Sequence, residues 1–200
     1  MGEKTMTENR LYQIPDVFVP LYSKYMKPYG GCRFVDPGVF PALCDLLDLL
    51  ANEGNCPSVV LKKYANDIAK ALSTVTLLQH SINVTENLAT QYRRHYHHDL
   101  DFTFCVPLIL FAGLGHDLGK IPKYVTSWQS RFRHPEVSAD IILNMLDKYN
   151  ADPPWKLMLL RAIRHHHASI GDDRLTAWLC KADREARERE LWKATGSGSI

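Results

Sequence analysis

The sequence predicts an all-α fold: a helical bundle packed around one buried central helix, with an irregular N-terminal arm. Phe104 to Leu118 is apolar almost throughout and lacks a polar face, which suits a helix surrounded by others. Its neighbours carry apolar residues at spacings of three and four, the mark of amphipathic helices. No stretch of length alternates with the period of a strand, and no repeat of fixed period is present. The central run falls short of the ~20 apolar residues a membrane span requires.

Residues 1–36 form the arm. Pro15, Pro20, Pro28, Gly30 and Gly31 break any long helix there. Tyr12, Phe18, Tyr22, Tyr25, Tyr29 and Phe34 are expected to pack on the helical body, the alternative being a substrate lid. A helix is expected from Pro37 to Asn52, with Asp36 as N-cap and Phe40, Leu43, Leu47 and Leu50 as its buried stripe. After a loop to Ser58, a second helix is expected to Leu72. A long helix over 73–97 places His80 on the stripe of Leu77, Val84 and Leu88. Its His95, His97 and His98 read as a solvated helix end, where cations are favoured.

The central helix is expected over 103–118, with Pro107 tolerated in its first turn. A loop and an Arg-rich turn follow. His134-Pro135-Glu136 then opens a helix to Tyr149. Asp152-Pro153-Pro154 starts another, reaching Ala168, with His166 on its apolar face and His167 beside it. The last helix, over 172–193, buries Leu175, Leu179, Ala182 and Ala186 and carries Asp183 at the edge of that side. Arg184 to Glu190 reads as a solvated face with internal ion pairs. The expected organisation is thus an arm (1–36), one helical domain (37–195) and a flexible tail (196–200).

A net charge of +2 gives no concentrated basic face for nucleic acid. Five cysteines without a C-x-x-C pair read as reduced thiols of a cytoplasmic protein. No leader and no membrane association are predicted. The sequence is compatible with a homo-oligomer.

His80, His116, Asp117, His134, His166 or His167, and Asp183 each fall on, or at the edge of, the buried stripe of a predicted helix. Taken singly, a histidine on an apolar face is usually a hydrogen-bonded core residue. Together they suggest a metal site, because a core gains little from collecting imidazoles. Such ligands suit Mn, Fe, Co, Ni or Zn better than Mg or Ca.

His116-Asp117-Leu118-Gly119-Lys120 resembles the signature of the HD superfamily of metal-dependent phosphohydrolases. His80-Ser-Ile-Asn-Val-Thr-Glu-Asn-Leu is similar to that family's first-His helix. His134-Pro-Glu-Val-Ser resembles the His-Pro helix of its HD-GYP branch, and Ala162-Ile-Arg-His-His-His-Ala168 resembles that branch's Ile-x-x-His-His-Glu segment. Lys181-Ala-Asp183-Arg184 resembles the closing Asp motif, so the resemblance covers about residues 75–187. Ala168 stands in place of the branch's Glu, and Ser169-Ile-Gly-Asp-Asp173 replaces Gly-Tyr-Pro, so specificity for cyclic di-GMP does not carry over. Thr76 stands where trinuclear members have a Glu, which limits the expectation to two metals.

The resemblance implies one divalent transition-metal ion on His80, His116, Asp117 and Asp183. It implies a second, bridged by Asp117, on His134, His166 and His167. Two such ions clamp a phosphate and lower the pKa of a shared water, giving hydroxide for in-line attack. Asp117 and Lys120 are the candidate catalytic residues. Lys120, Arg131, Arg133 and Arg164 are candidates for substrate phosphate, the three arginines being equally well read as surface salt-bridge residues. The expected activity is hydrolysis of a small-molecule phosphate ester such as a nucleotide. The rivals are a cyclic or linear dinucleotide phosphodiesterase, a catalytically silent HD module in signalling or a mobile-element protein, and a helical scaffold with coincidental histidines.

Overall fold

The computed structural model describes residues 14–26, 36–59, 66–125, 133–167 and 173–196. Among them all regular structure is helical; the single β-bridge joins Pro57 and Thr76. The arm is more regular than its prolines suggest. From Asp16 to Met26 it winds as a continuous helical run that includes α1 (Val19–Leu21), with Pro20 in the first turn of α1, where a missing amide costs nothing. Phe18, Leu21 and Tyr25 are buried in the common core. Tyr12, Tyr29, Phe34 and the Tyr29-Gly30-Gly31 turn lie outside the described residues.

Helix α2 (Val39–Glu53) starts slightly later than expected. Asp36 still organises its entry, accepting from Gly38 N–H at 2.8 Å through Oδ1 and from Asp152 N–H at 2.6 Å through Oδ2. The second predicted helix, over Ser58–Leu72, is not continuous. Ser58 lies in a bend, its N–H bonded to Val75 O at 2.9 Å, and α3 (Asp67–Leu72) starts after its N-cap Asn66. Residues 60–65 lie outside the description. Helix α4 (Leu77–His95) begins at Thr76, whose Oγ1 accepts from Gln79 N–H.

Helix α5 (Asp99–Gly115) is the central element, and α2, α4, α6 (His134–Lys148) and α7 (Lys156–Arg164) all pack on it. It begins earlier than expected, so Pro107 falls inside the helix instead of in its first turn. The 19-residue stretch Phe102–Lys120 does reach the length and apolar character of a membrane span, contrary to the expectation, but most of it is buried by the other helices. Helix α8 (Arg174–Thr195) lies across α3, α4 and α7 and ends at Gly196, whose φ of 67° gives the left-handed turn that stops it. Leu43, Leu46, Leu50, Leu77, Leu88, Leu110, Phe111, Leu114 and Ile142 are among the fully buried side chains that join α2, α4, α5 and α6.

Candidate metal centre

The apolar helix α5 ends where its chemistry begins. His116 is its last αR residue, and Asp117 turns to φ −114°, ψ 13°, so the backbone tightens into a 3-10 turn over Leu118–Lys120. Lys120 N–H closes that turn on Asp117 O at 2.9 Å. Adjacent residues on a straight helix point about 100° apart; here both side chains face inward and both are buried. Gly119 lets α6 come close, since a Cβ there would lie 2.4 Å from His134 O. Gly119 N–H also donates to Ser138 Oγ on α6 at 2.9 Å. That approach seats His134, the first residue of α6, against Asp117.

Asp117 divides its two oxygens between two groups of ligands. Oδ1 lies 3.2 Å from His134 Nε2 and 3.4 Å from His166 Nε2. Oδ2 lies 3.4 Å from His116 Nε2 and 3.7 Å from His80 Nε2. Asp183, from α8, brings Oδ1 within 3.0 Å of His80 Nε2. His167 Nε2 is 2.9 Å from His134 Nε2. Asp117, His134, His166 and His167 thus form one group, and His80, His116 and Asp183 a second; within each, one donor atom per residue lies within 4.8 Å of all the others. His166 and His167 sit in a turn just after α7 and not on the helix expected there.

The far sides of the imidazoles decide which nitrogen faces inward. His116 Nδ1 donates to Gly113 O at 2.9 Å, and His166 Nδ1 to Ile163 O at 2.7 Å. His80 Nδ1 donates to Glu190 at 3.0 Å. Each Nε2 is left with its lone pair toward the centre. His80, His116 and His166 Nε2, Asp117 Oδ1 and Asp183 Oδ1 are all buried without a hydrogen-bond partner of good geometry among the described residues. Leaving such atoms unsatisfied is costly, so a converging set of them fits a cation that takes the place of the missing partners. The donors present, imidazole nitrogen and carboxylate oxygen, are those of divalent transition metals.

The charges follow the same plan. Burial alone would push the Asp117 carboxyl up, but Lys120 and His116 hold it well below the ordinary carboxylate range. Burial opposes ionisation of Asp183 too, and the bond to His80 outweighs it. Burial lowers His116. Desolvation, and His166 beside it, bring His167 down to about 3. His80 goes the other way: burial would lower it, but Asp183 and Glu190 raise it. The pair of carboxylates around His80 attracts positive charge whether that is a proton or an ion.

A family model, the HD domain, matches residues 77–190, more than half of the chain. The chain belongs to the HD-domain family. No curated protein and no solved structure matches it significantly. The matched span of this HD domain runs from the first residue of α4 to Glu190 on α8 and includes every side chain of both ligand groups.

The other candidates are placed unevenly. Lys120 reaches Asp117 Oδ2 at 2.6 Å. Arg131 is outside the described residues. Arg133 is exposed just before α6, and Arg164 pairs with Asp140 at 3.2 Å. Thr76 is the N-cap of α4. His95 lies at an exposed helix end, where its Nε2 is 2.7 Å from Arg174.

The expectation of a solvated face with internal ion pairs over Arg184 to Glu190 holds for the exposed Arg184, Glu188 and Arg189 but fails for Arg187 and Glu190, which pair with each other against the centre. Glu190 is buried, and Arg187 Nη1 donates to Ser58 Oγ at 2.7 Å while Nη2 lies 3.7 Å from Asp117 Oδ2. The signal was present in the spacing. Asp183, Arg187 and Glu190 fall at i, i+4 and i+7, the stripe that starts from Leu179 and Ala182. Dense charge on that stripe masked it.

Proposed function

We propose that this HD domain is a metal-dependent phosphohydrolase that cleaves a small phosphate ester, a nucleotide being the favoured class. The observation that carries the reading is the orientation of Asp117, with one carboxylate oxygen toward each group of imidazoles, as a ligand shared by two divalent ions would require. His80, His116 and Asp183 would hold one ion, and His134, His166 and His167 the other. Bound there, such ions supply Lewis-acid charge to a phosphoryl group and acidify a water.

The protein's own residues do the rest. Gly113 O, Ile163 O and Glu190 fix the tautomers of His116, His166 and His80, so the nitrogens that bind are deprotonated. The apolar wall of α5 keeps bulk water from the buried half, which strengthens every charge interaction there. Lys120 holds a point charge at the site, on Asp117 Oδ2 at 2.6 Å, within reach of a phosphoryl oxygen bound there. His167, exposed on the outer rim, marks the side open to substrate.

A phosphodiesterase for a dinucleotide uses the same centre and differs in the walls of the substrate pocket. The absence of Gly-Tyr-Pro after His167 speaks against the cyclic di-GMP branch. A silent binding module would have no need to keep so many unsatisfied ligand atoms buried.

The test is elemental analysis of protein purified without chelator or affinity metal, beside the Asp117→Ala variant. About two transition-metal ions per chain, largely lost in the variant, are expected. The loaded protein should turn over a generic phosphoester or a nucleotide from a screen. Absence of metal even after incubation with Mn, Fe, Ni or Zn sinks the reading; full loading without turnover of any phosphoester leaves the silent module.

A further inference from the structure

His80 is held unlike the other buried imidazoles. His116 and His166 donate to main-chain carbonyls of their own turns. His80 Nδ1 instead faces both oxygens of the Glu190 carboxylate, at 3.0 and 3.2 Å. Glu190 is itself fixed from two further directions. Asn83 Nδ2 donates to Oε1 at 2.8 Å and Arg187 Nη1 to Oε2 at 3.2 Å. Arg187 is anchored in turn by Ser58, through Oγ at 2.7 Å and the carbonyl at 3.1 Å. The chain of contacts joins α4, α8 and the segment before α3. It ends with the Arg187 guanidinium 3.7 Å from Asp117 and 3.9 Å from Asp183.

Such an arrangement has a definite consequence for an ion. A carboxylate on the far nitrogen of a ligating histidine fixes the tautomer and raises the basicity of the near nitrogen. His134 and His167 show the contrast. Their Nε2 atoms lie 2.9 Å apart, close to the 3.0 Å between His80 Nε2 and Asp183 Oδ1, but His167 is exposed, so that half holds its ion next to solvent. The buried half has its nitrogens and its Asp183 oxygen already enclosed and facing the centre, with His80 and His116 fully buried.

We propose that Glu190, held by Asn83 and Arg187, is a positioning residue for His80, and that it makes the His80–His116–Asp183 half the tight site and the His134–His166–His167 half the exchangeable one. The proposal rests on the two-ion reading above and adds an order of affinity to it. The first ion enters the buried half and stays; the second exchanges with solvent.

The test is Mn²⁺ binding to the metal-free full chain, by calorimetry and by competition with a chelator, for wild type, Glu190→Gln and Asn83→Ala. Two classes of site are expected in the wild type. Glu190→Gln keeps the shape of the side chain but loses its charge, and should weaken the tight class by about 10–100-fold. The weak class should be unchanged, which also reports that the variant is folded. Asn83→Ala should weaken the same class by less. Nitrogen NMR of the loaded wild type should show His80 protonated on Nδ1. Equal affinity of the two classes in the wild type overturns the proposal, as does a Glu190→Gln protein that binds both ions as the wild type does or loses both equally. A wild type that binds no Mn²⁺ overturns the metal centre itself, a distinct result.

Discussion

Lys120 Nζ sits 2.6 Å from Asp117 Oδ2, the oxygen that also faces His116 and His80. An ion in the buried half would compete with this ammonium for the same oxygen. Lys120→Met should therefore bind Mn²⁺ at least as tightly as the wild type while its turnover of a phosphoester falls more than ~10-fold, as expected where a phosphate-binding charge is lost. Loss of both metal and activity would instead make Lys120 a support for the ligand set.

Gly113 is the point where α5 crosses α4. A Cβ there would lie 2.4 Å from Thr85 Oγ1 and 2.6 Å from its Cα, and backbone at that distance cannot step aside. Gly113→Ala should destabilise the fold by ~1–3 kcal/mol through overpacking. It should also weaken metal binding, because it pushes the helix of His80 from that of His116. A melting temperature equal to the wild type would show the crossing to be slack.

Acid should unfold the metal-free protein in a defined window. His167 titrates near 3 and His116 is also lowered, against an ordinary value of 6.5. As pH falls below 6.5 the unfolded chain takes up those protons first, so stability drops with pH. His80, raised, is protonated in both states below 6.5 and adds no slope there; its contribution is lost instead as pH rises through its raised value. Asp117 and Asp183, both lowered, keep their contribution until pH falls below 3.8. Melting temperature should fall as pH is lowered from about 6.5 towards about 3, with a shallower fall in His167→Gln. A flat or opposite profile in the wild type would refute the assignment.

Thr76 caps the helix whose first turn carries His80. Thr76→Ala removes the acceptor of Gln79 N–H and should cost about 1 kcal/mol, read by urea unfolding. Metal stoichiometry should stay unchanged, because Thr76 donates nothing to the ligand groups. A lost ion in this variant would show that Thr76 takes part in the centre.

Much of this protein was legible in its sequence. The apolar run of α5 pointed to the centre of a helical bundle, because it has no polar face. The three-and-four spacing of Leu77, Val84 and Leu88 set His80 inward, and the helices bearing His134 and Asp183 were placed the same way. Periodicity fixes which face of a helix is buried. It does not say what lies across from that face, nor where a helix gives way to a turn. So the helix expected over 58–72 is interrupted at Asn66, and His166 and His167 came to the centre on a turn. Only the tertiary structure could decide that Glu190 meets His80 from 110 positions away, or that the two oxygens of Asp117 face different imidazoles. Those relations depend on how closely α4, α5, α6 and α8 approach, and that distance is set by glycine contacts and packed side chains between helices, not by the pattern along any one of them.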